Sequence, residues 1–170
     1  MTNYNENYEK DIQEIIKPIR EQGLGYNYDY LFDELKHKYH KTNYPGYSYM
    51  IGFLFEKRIF KSENSKIHLH YYNEAAQLNY LPALIVLSQI SLDNIKTICD
   101  HHKISFMNKE NYKIIKEDKE GKYLLAKLSM IRQILDDELN EYFLGALSIM
   151  KESAEEGYEE ANYFMNHCKI

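Results

Sequence analysis

The stretch that most constrains how this chain folds runs from Tyr71 to Ala83, Tyr-Tyr-Asn-Glu-Ala-Ala-Gln-Leu-Asn-Tyr-Leu-Pro-Ala. It reads as the end of one helix, a tight turn and the start of the next. Small residues at Ala75, Ala76 and Ala83 let two antiparallel helices approach closely, while Tyr72 and Leu84 fill the flanks. Asn79 stands where a helix needs a left-handed residue in order to stop, and Asn is the second choice there after Gly. Pro82 falls in the first turn of the following helix, where its missing N–H is harmless.

An altered copy runs from Ile149 to Ala161. With Asn79 laid on Gly157, Ala75 meets Ser153, Ala76 meets Ala154, Ala83 meets Ala161 and Tyr72 meets Met150. The two joints are 78 residues apart, twice 39. A helix pair with its loops takes about 40 residues in several repeat families.

The remaining segments also carry helical spacing. Ile12, Ile15, Ile16 and Ile19 mark a helix over 8–21, with Pro18 expected to kink or shorten it and Gly23-Leu24-Gly25 to break it. A second helix spans 28–40, Asn43 to Gly46 is a turn signal, and an apolar helix covers 47–57. Gly52 inside that helix implies close packing on a neighbour. A linker over 62–65 leads to helices at 66–78 and 81–92. Asp93 is read as the cap of a short helix over 94–101, 103–108 as a loop and 109–118 as a helix. Gly121 is read as a terminator, followed by helices at 123–135 and 139–156. Asp136 and Asp137 cap or follow the break between them, Gly157 is a stop, and a last helix covers 159–167. No segment alternates with period two, so the expected class is all-α, in one domain over 1–170.

The two joints resemble the Sel-one-like repeat family, a relative of the tetratricopeptide repeats. Ile51-Gly52-Phe53-Leu54-Phe55-Glu56 is similar to its first helix. Tyr71-Tyr72-x-x-Ala75-Ala76-x-x-Asn79-x-x-x-Ala83 is similar to its second, with His68 at the usual alanine position and Asn79 at the usual glycine. The later copy runs from Ala146 to Ala161, with 123–128 as its leading helix, and the spacing calls for a middle copy between Ala83 and Gly121. The resemblance implies an α/α solenoid of antiparallel helix pairs over 47–170, preceded by atypical capping helices over 1–46. It also implies a concave surface for a protein or peptide, and a scaffold, adaptor or regulator rather than an enzyme.

Charge bounds the partner. The net charge of −5 argues against binding nucleic acid or an anionic membrane. It is also uneven: from Arg132 onward nine acids face three bases. An acidic end suits a basic partner, such as a toxin domain held by a small immunity-type or antitoxin-like inhibitor. Seventeen tyrosines and no tryptophan suit a contact surface. The expected partner-contacting residues are Tyr49, Phe53, Glu56, Asp136, Asp137, Glu155, Glu156, Glu159 and Glu160.

Catalytic motifs do not emerge. There is no phosphate-binding glycine loop, nucleophile elbow or dinucleotide fingerprint. The seven histidines fall outside metal-ligand spacings, although His37 and His40 are positioned to share a helix face. Cys99 and Cys168 form no Cys-x-x-Cys, and two free thiols are the simplest expectation. The expected protein needs no cofactor or metal, and its oligomeric state is open. Lacking a signal-like start and any long apolar run, it is expected in the cytoplasm. The rival from another class is a helical-bundle enzyme, which stoichiometric metal in the purified protein would revive.

Overall fold

A computed structural model describes residues 2–23, 26–97, 109–136 and 141–167. Among the described residues there are helices and connecting turns, with no strand. The helices are α1 Thr2–Ile15, α2 Lys17–Gln22, α3 Asp29–Thr42, α4 Pro45–Glu56, α5 Ile67–Gln77, α6 Leu81–Thr97, α7 Lys109–Lys116, α8 Lys119–Asp136, α9 Glu141–Glu155 and α10 Glu159–His167. The chain divides into two compact units, Met1–Ala83 and Leu84–Ile170.

In the first unit, local chemistry sets the breaks. Pro18 shortens the first helix, as expected: α1 ends at Ile15, and Pro18 sits in the opening turn of α2. Gly23, at φ +75°, closes α2 by donating its N–H to the Ile19 carbonyl at 3.1 Å. The Asn27 carboxamide then accepts the Asp29 N–H at 2.8 Å and opens α3. Asn43, at φ +53°, ends α3, and α4 begins two residues later with Pro45 in its first turn.

The core of this unit draws Ile12 and Ile15 from α1, Leu31 and Leu35 from α3, and Tyr47, Ile51 and Leu54 from α4. Burial of seven such side chains is the main driving force here. The helices over 1–46, expected as caps, therefore share one core with α4. Gly52 has the close contact that its position implies. A Cβ there would lie 2.8 Å from the Tyr72 ring of α5 and 3.1 Å from the His68 carbonyl.

The joint after α5 is built as its residues require. Asn79 adopts φ +60°. Its N–H donates to the Ala76 carbonyl at 3.0 Å, and the Tyr80 N–H donates to the Ala75 carbonyl at 3.2 Å. This pair of bonds satisfies carbonyls that the end of the helix leaves open. In the second unit Gly157, at φ +83°, makes the same pair: its own N–H to Ala154 at 2.9 Å, and the Tyr158 N–H to Ser153 at 3.1 Å. Tyr72, Ala75 and Ala83 are fully buried around the first joint, and Met150, Ser153 and Ala161 around the second.

Two expectations for the second unit fail. Asp93 does not cap a new helix, because α6 runs unbroken from Leu81 to Thr97. Leu92, buried against Leu124 and Leu128, anchors the apolar stripe of α6 right up to the point where a break was expected. Gly121 does not terminate anything either; it lies in the first turn of α8. Its N–H donates to the Asp118 carboxylate at 2.9 Å, an N-terminal cap. Glycine is needed there for room, since a Cβ would lie 2.1 Å from the Ile115 carbonyl oxygen at the end of α7. Ala126 and Met130 of α8, Ala146 and Met150 of α9 and Ala161 of α10 form the adjoining core. The loop expected at 103–108, the end of the helix expected over 94–101 and both cysteines lie outside the described residues.

Candidate functional site

Most of the tyrosine chemistry in the first unit turns inward. The Glu9 carboxylate of α1 accepts the Tyr44 hydroxyl at 2.6 Å and the Tyr80 hydroxyl at 2.7 Å. Asp11, two residues further along α1, accepts the Tyr47 hydroxyl at 2.6 Å and pairs with Lys38 at 2.9 Å. Glu56 accepts the Tyr72 hydroxyl. The rings pack on one another as well: Tyr8 stacks on Tyr44 at 4.8 Å, and Tyr49 meets Tyr72 and Tyr80, each at 5.5 Å. These charge-assisted bonds fix α1, α4 and α5 and the Tyr80 turn together.

Burial, reinforced by the accepting carboxylates, pushes Tyr44, Tyr47, Tyr72 and Tyr80 well above the ordinary tyrosine range. For Asp11, burial pushes the carboxyl up, but the Tyr47 hydroxyl and the Lys38 ammonium outweigh it and hold it below its usual value. A tyrosine raised in the fold favours folding fully below the ordinary value and loses that contribution as pH rises through the folded one. The chain is therefore expected to lose stability above about pH 10. Part of the phenolate absorbance should appear late, together with loss of helix. Complete tyrosine ionisation with the helices intact would contradict this arrangement.

Beside this network a cleft of about 480 Å³ opens where α4 ends and α5 begins. Phe55, Phe60 and Ile67 supply its apolar lining, and Arg58 and Lys61 supply positive charge. Ser62 and Asn64 shape the connecting loop: the Ser62 hydroxyl accepts the Asn64 N–H at 3.1 Å, and the Asn64 carboxamide accepts the Lys66 N–H at 3.0 Å. Glu56 is the one acid among the lining residues. It is already engaged by the Tyr72 hydroxyl and by Lys57 at 3.9 Å. Arg58 and Lys61 are exposed, and among the described residues no ion pair holds either.

Arg58 ends α4 with φ +59°. Its N–H donates to the Phe55 carbonyl at 3.0 Å, and the Ile59 N–H donates to Leu54 at 2.9 Å. This is the same closing pair as at Asn79 and Gly157. The left-handed conformation costs a side chain with a Cβ about 1 kcal/mol. Replacing Arg58 with glycine is expected to stabilise the fold by up to about 1 kcal/mol, read as a higher melting temperature. A lower one would mean that the guanidinium makes a fold-supporting contact.

The residues expected to face a partner fall in both units. Tyr49 is half-buried against Tyr72 and Tyr80, and Phe53 is half-buried at the edge of the first core with Lys57 5.4 Å above its ring. Glu56 lines the cleft. Asp136 is the last residue of α8, and Asp137 lies outside the described residues. Glu155, Glu156, Glu159 and Glu160 are exposed and come together around the Gly157 joint. Of these, Glu155 pairs with Lys151 at 3.7 Å and Glu156 pairs with the largely buried Lys122.

The surroundings of that second joint are acidic. The Glu156 carboxylate holds the Lys122 ammonium above its ordinary value. Burial, with Asp118 and Glu160 nearby, pushes Glu120 up. Burial and the carboxylates of Glu120 and Glu160 push Tyr158 up to about 12. Ser153 donates its hydroxyl to the Lys119 carbonyl at 2.6 Å and ties α9 to the start of α8.

Sequence reasoning missed the cleft. Arg58, Lys61 and the 62–66 loop carry no motif, and their convergence depends on how α4 stops. Among the described residues no three His, Cys, Asp or Glu side chains gather as a metal site, and no helix is long and apolar enough to cross a membrane. Comparison with protein-family models, characterised proteins and solved structures finds no match.

Proposed function

We propose that this chain is a non-catalytic protein-binding scaffold built from degenerate helical repeats of the Sel-one-like kind. The observation that carries the reading is the recurrence of one joint. Asn79 and Gly157 close their helices with the same two hydrogen bonds, a pair that Arg58 also makes. The Asn79 and Gly157 joints both fully bury small residues on either side of the turn, Ala75 and Ala83 at the first, Ser153 and Ala161 at the second. A helix pair that buries its small residues at the joint leaves its outer side chains available for contact. The tyrosine hydroxyls and carboxylates of the first unit support the same reading, because they are engaged in holding helices together.

A narrower version makes the chain an immunity-type inhibitor of a basic toxin domain. Its support is the group of exposed acids Glu155, Glu159 and Glu160 beside the Gly157 joint. Acidic surface of this kind speeds capture of a basic protein. Affinity capture on the tagged chain, compared with a Glu155→Lys, Glu159→Lys, Glu160→Lys variant, tests both versions. A basic partner lost on charge reversal favours the inhibitor. A partner held equally by both chains removes the inhibitor and keeps the scaffold, and a chain that captures nothing removes both.

A further inference from the structure

We infer that the cleft between the end of α4 and the start of α5 docks an acidic peptide, one that carries a carboxylate next to an aromatic or aliphatic side chain. This rests on the protein-binding reading above and gives one of its surfaces a partner chemistry. Size comes first. About 480 Å³ lies within the range of cavities that take a ligand of a few residues. Charge comes next. Arg58 and Lys61 face this space with no ion pair among the described residues, while the one lining acid, Glu56, already holds Tyr72 and Lys57. The cleft thus presents net positive charge on a chain whose overall charge is −5.

The backbone at Arg58 adds an independent observation. Among the described residues, the other left-handed helix ends are Gly23, Asn43, Asn79 and Gly157. Each is a residue type suited to that conformation. Arg58 is the exception, and it lines the cleft. Glycine there would close α4 with less strain, so the guanidinium is held at the expense of the backbone. Such a trade marks positions where the side chain serves binding. A guanidinium grips a carboxylate through two parallel N–H···O bonds. Phe55 and Ile67, both half-buried, lie alongside the buried Phe60 and offer apolar surface to the neighbouring side chain. A free inorganic anion would leave that surface unused, which favours a peptide.

The test is an amide NMR titration of the full 15N-labelled chain. The probe is the blocked tetrapeptide Glu-Phe-Glu-Leu; the controls are its Gln-Phe-Gln-Leu counterpart and inorganic phosphate. Shifts are expected to concentrate at 55–68, with the Gln peptide binding about tenfold more weakly or worse. The double variant Arg58→Gly, Lys61→Ser should lose affinity by a similar factor while melting no lower than the parent. Silent cleft amides, equal affinity for the Gln peptide, undiminished binding by the folded variant, or phosphate binding as tight as the peptide would each overturn the inference. Affinity capture with the double variant separates the two levels. Full partner capture by the folded double variant overturns the cleft and leaves the scaffold standing, whereas no capture by the parent chain overturns the scaffold itself.

Discussion

Replacing Tyr72 with alanine is expected to destabilise the first unit by about 4 kcal/mol. Tyr72 is fully buried, and its ring fills the space that Gly52 leaves on α4. It also meets Tyr49 at 5.5 Å and donates its hydroxyl to Glu56. Alanine would remove the ring from the α4–α5 interface and leave a cavity that the glycine opposite cannot fill. Tyr72→Phe separates the two contributions: it keeps the packing and loses only the bond to Glu56, at about 1–2 kcal/mol. Urea denaturation followed by helical circular dichroism reads both. A Tyr72→Ala loss below about 1 kcal/mol would mean that α4 and α5 do not pack as described.

Gly121→Ala is expected to cost about 3 kcal/mol in the second unit, although alanine is the better helix former by about 1 kcal/mol. The added methyl would lie 2.1 Å from the Ile115 carbonyl oxygen, which is backbone and cannot swing away. Relief would require opening the turn between α7 and α8, and with it the Asp118 cap on the Gly121 N–H. The control is Gly145→Ala on α9, where a Cβ meets nothing within 4 Å. That change should be neutral or stabilising. Equal behaviour of the two glycines in thermal melts would contradict the close approach at Gly121.

The sequence carried the joints because their chemistry is local. Asn79 and Gly157 stop helices through their own φ, and Pro82 opens one through its missing donor, so a few adjacent residues suffice to place them. Gly52 was legible for a similar reason, since an apolar helix with an internal glycine implies a neighbour. Gly121 reads as a stop because one residue type serves both as a stop and as room for a close contact, and only the position of Ile115 distinguishes the two. Asp93 carries the chemistry of a cap, yet an aspartate also fits inside a helix, and α6 runs through it to Thr97.

The tyrosines show the larger gap. Their number suggested a contact surface, yet Tyr44, Tyr47, Tyr72 and Tyr80 direct their hydroxyls at Glu9, Asp11 and Glu56, between 16 and 71 residues away in sequence. Nothing periodic links such partners. The cleft was invisible for the same reason, because it depends on a left-handed arginine that no local pattern announces. The acids around Gly157, by contrast, were readable as a charge bias, and the structure gathers Glu155, Glu156, Glu159 and Glu160 about one turn.

The central claim is that the chain works by holding another protein. Native mass measurement of the 20.4 kDa chain, purified gently from cells that produce it, tests this most directly. A stoichiometric complex with a second, different polypeptide is the expected result. Recovery of the bare chain alone, or only of assemblies of identical copies, would contradict it.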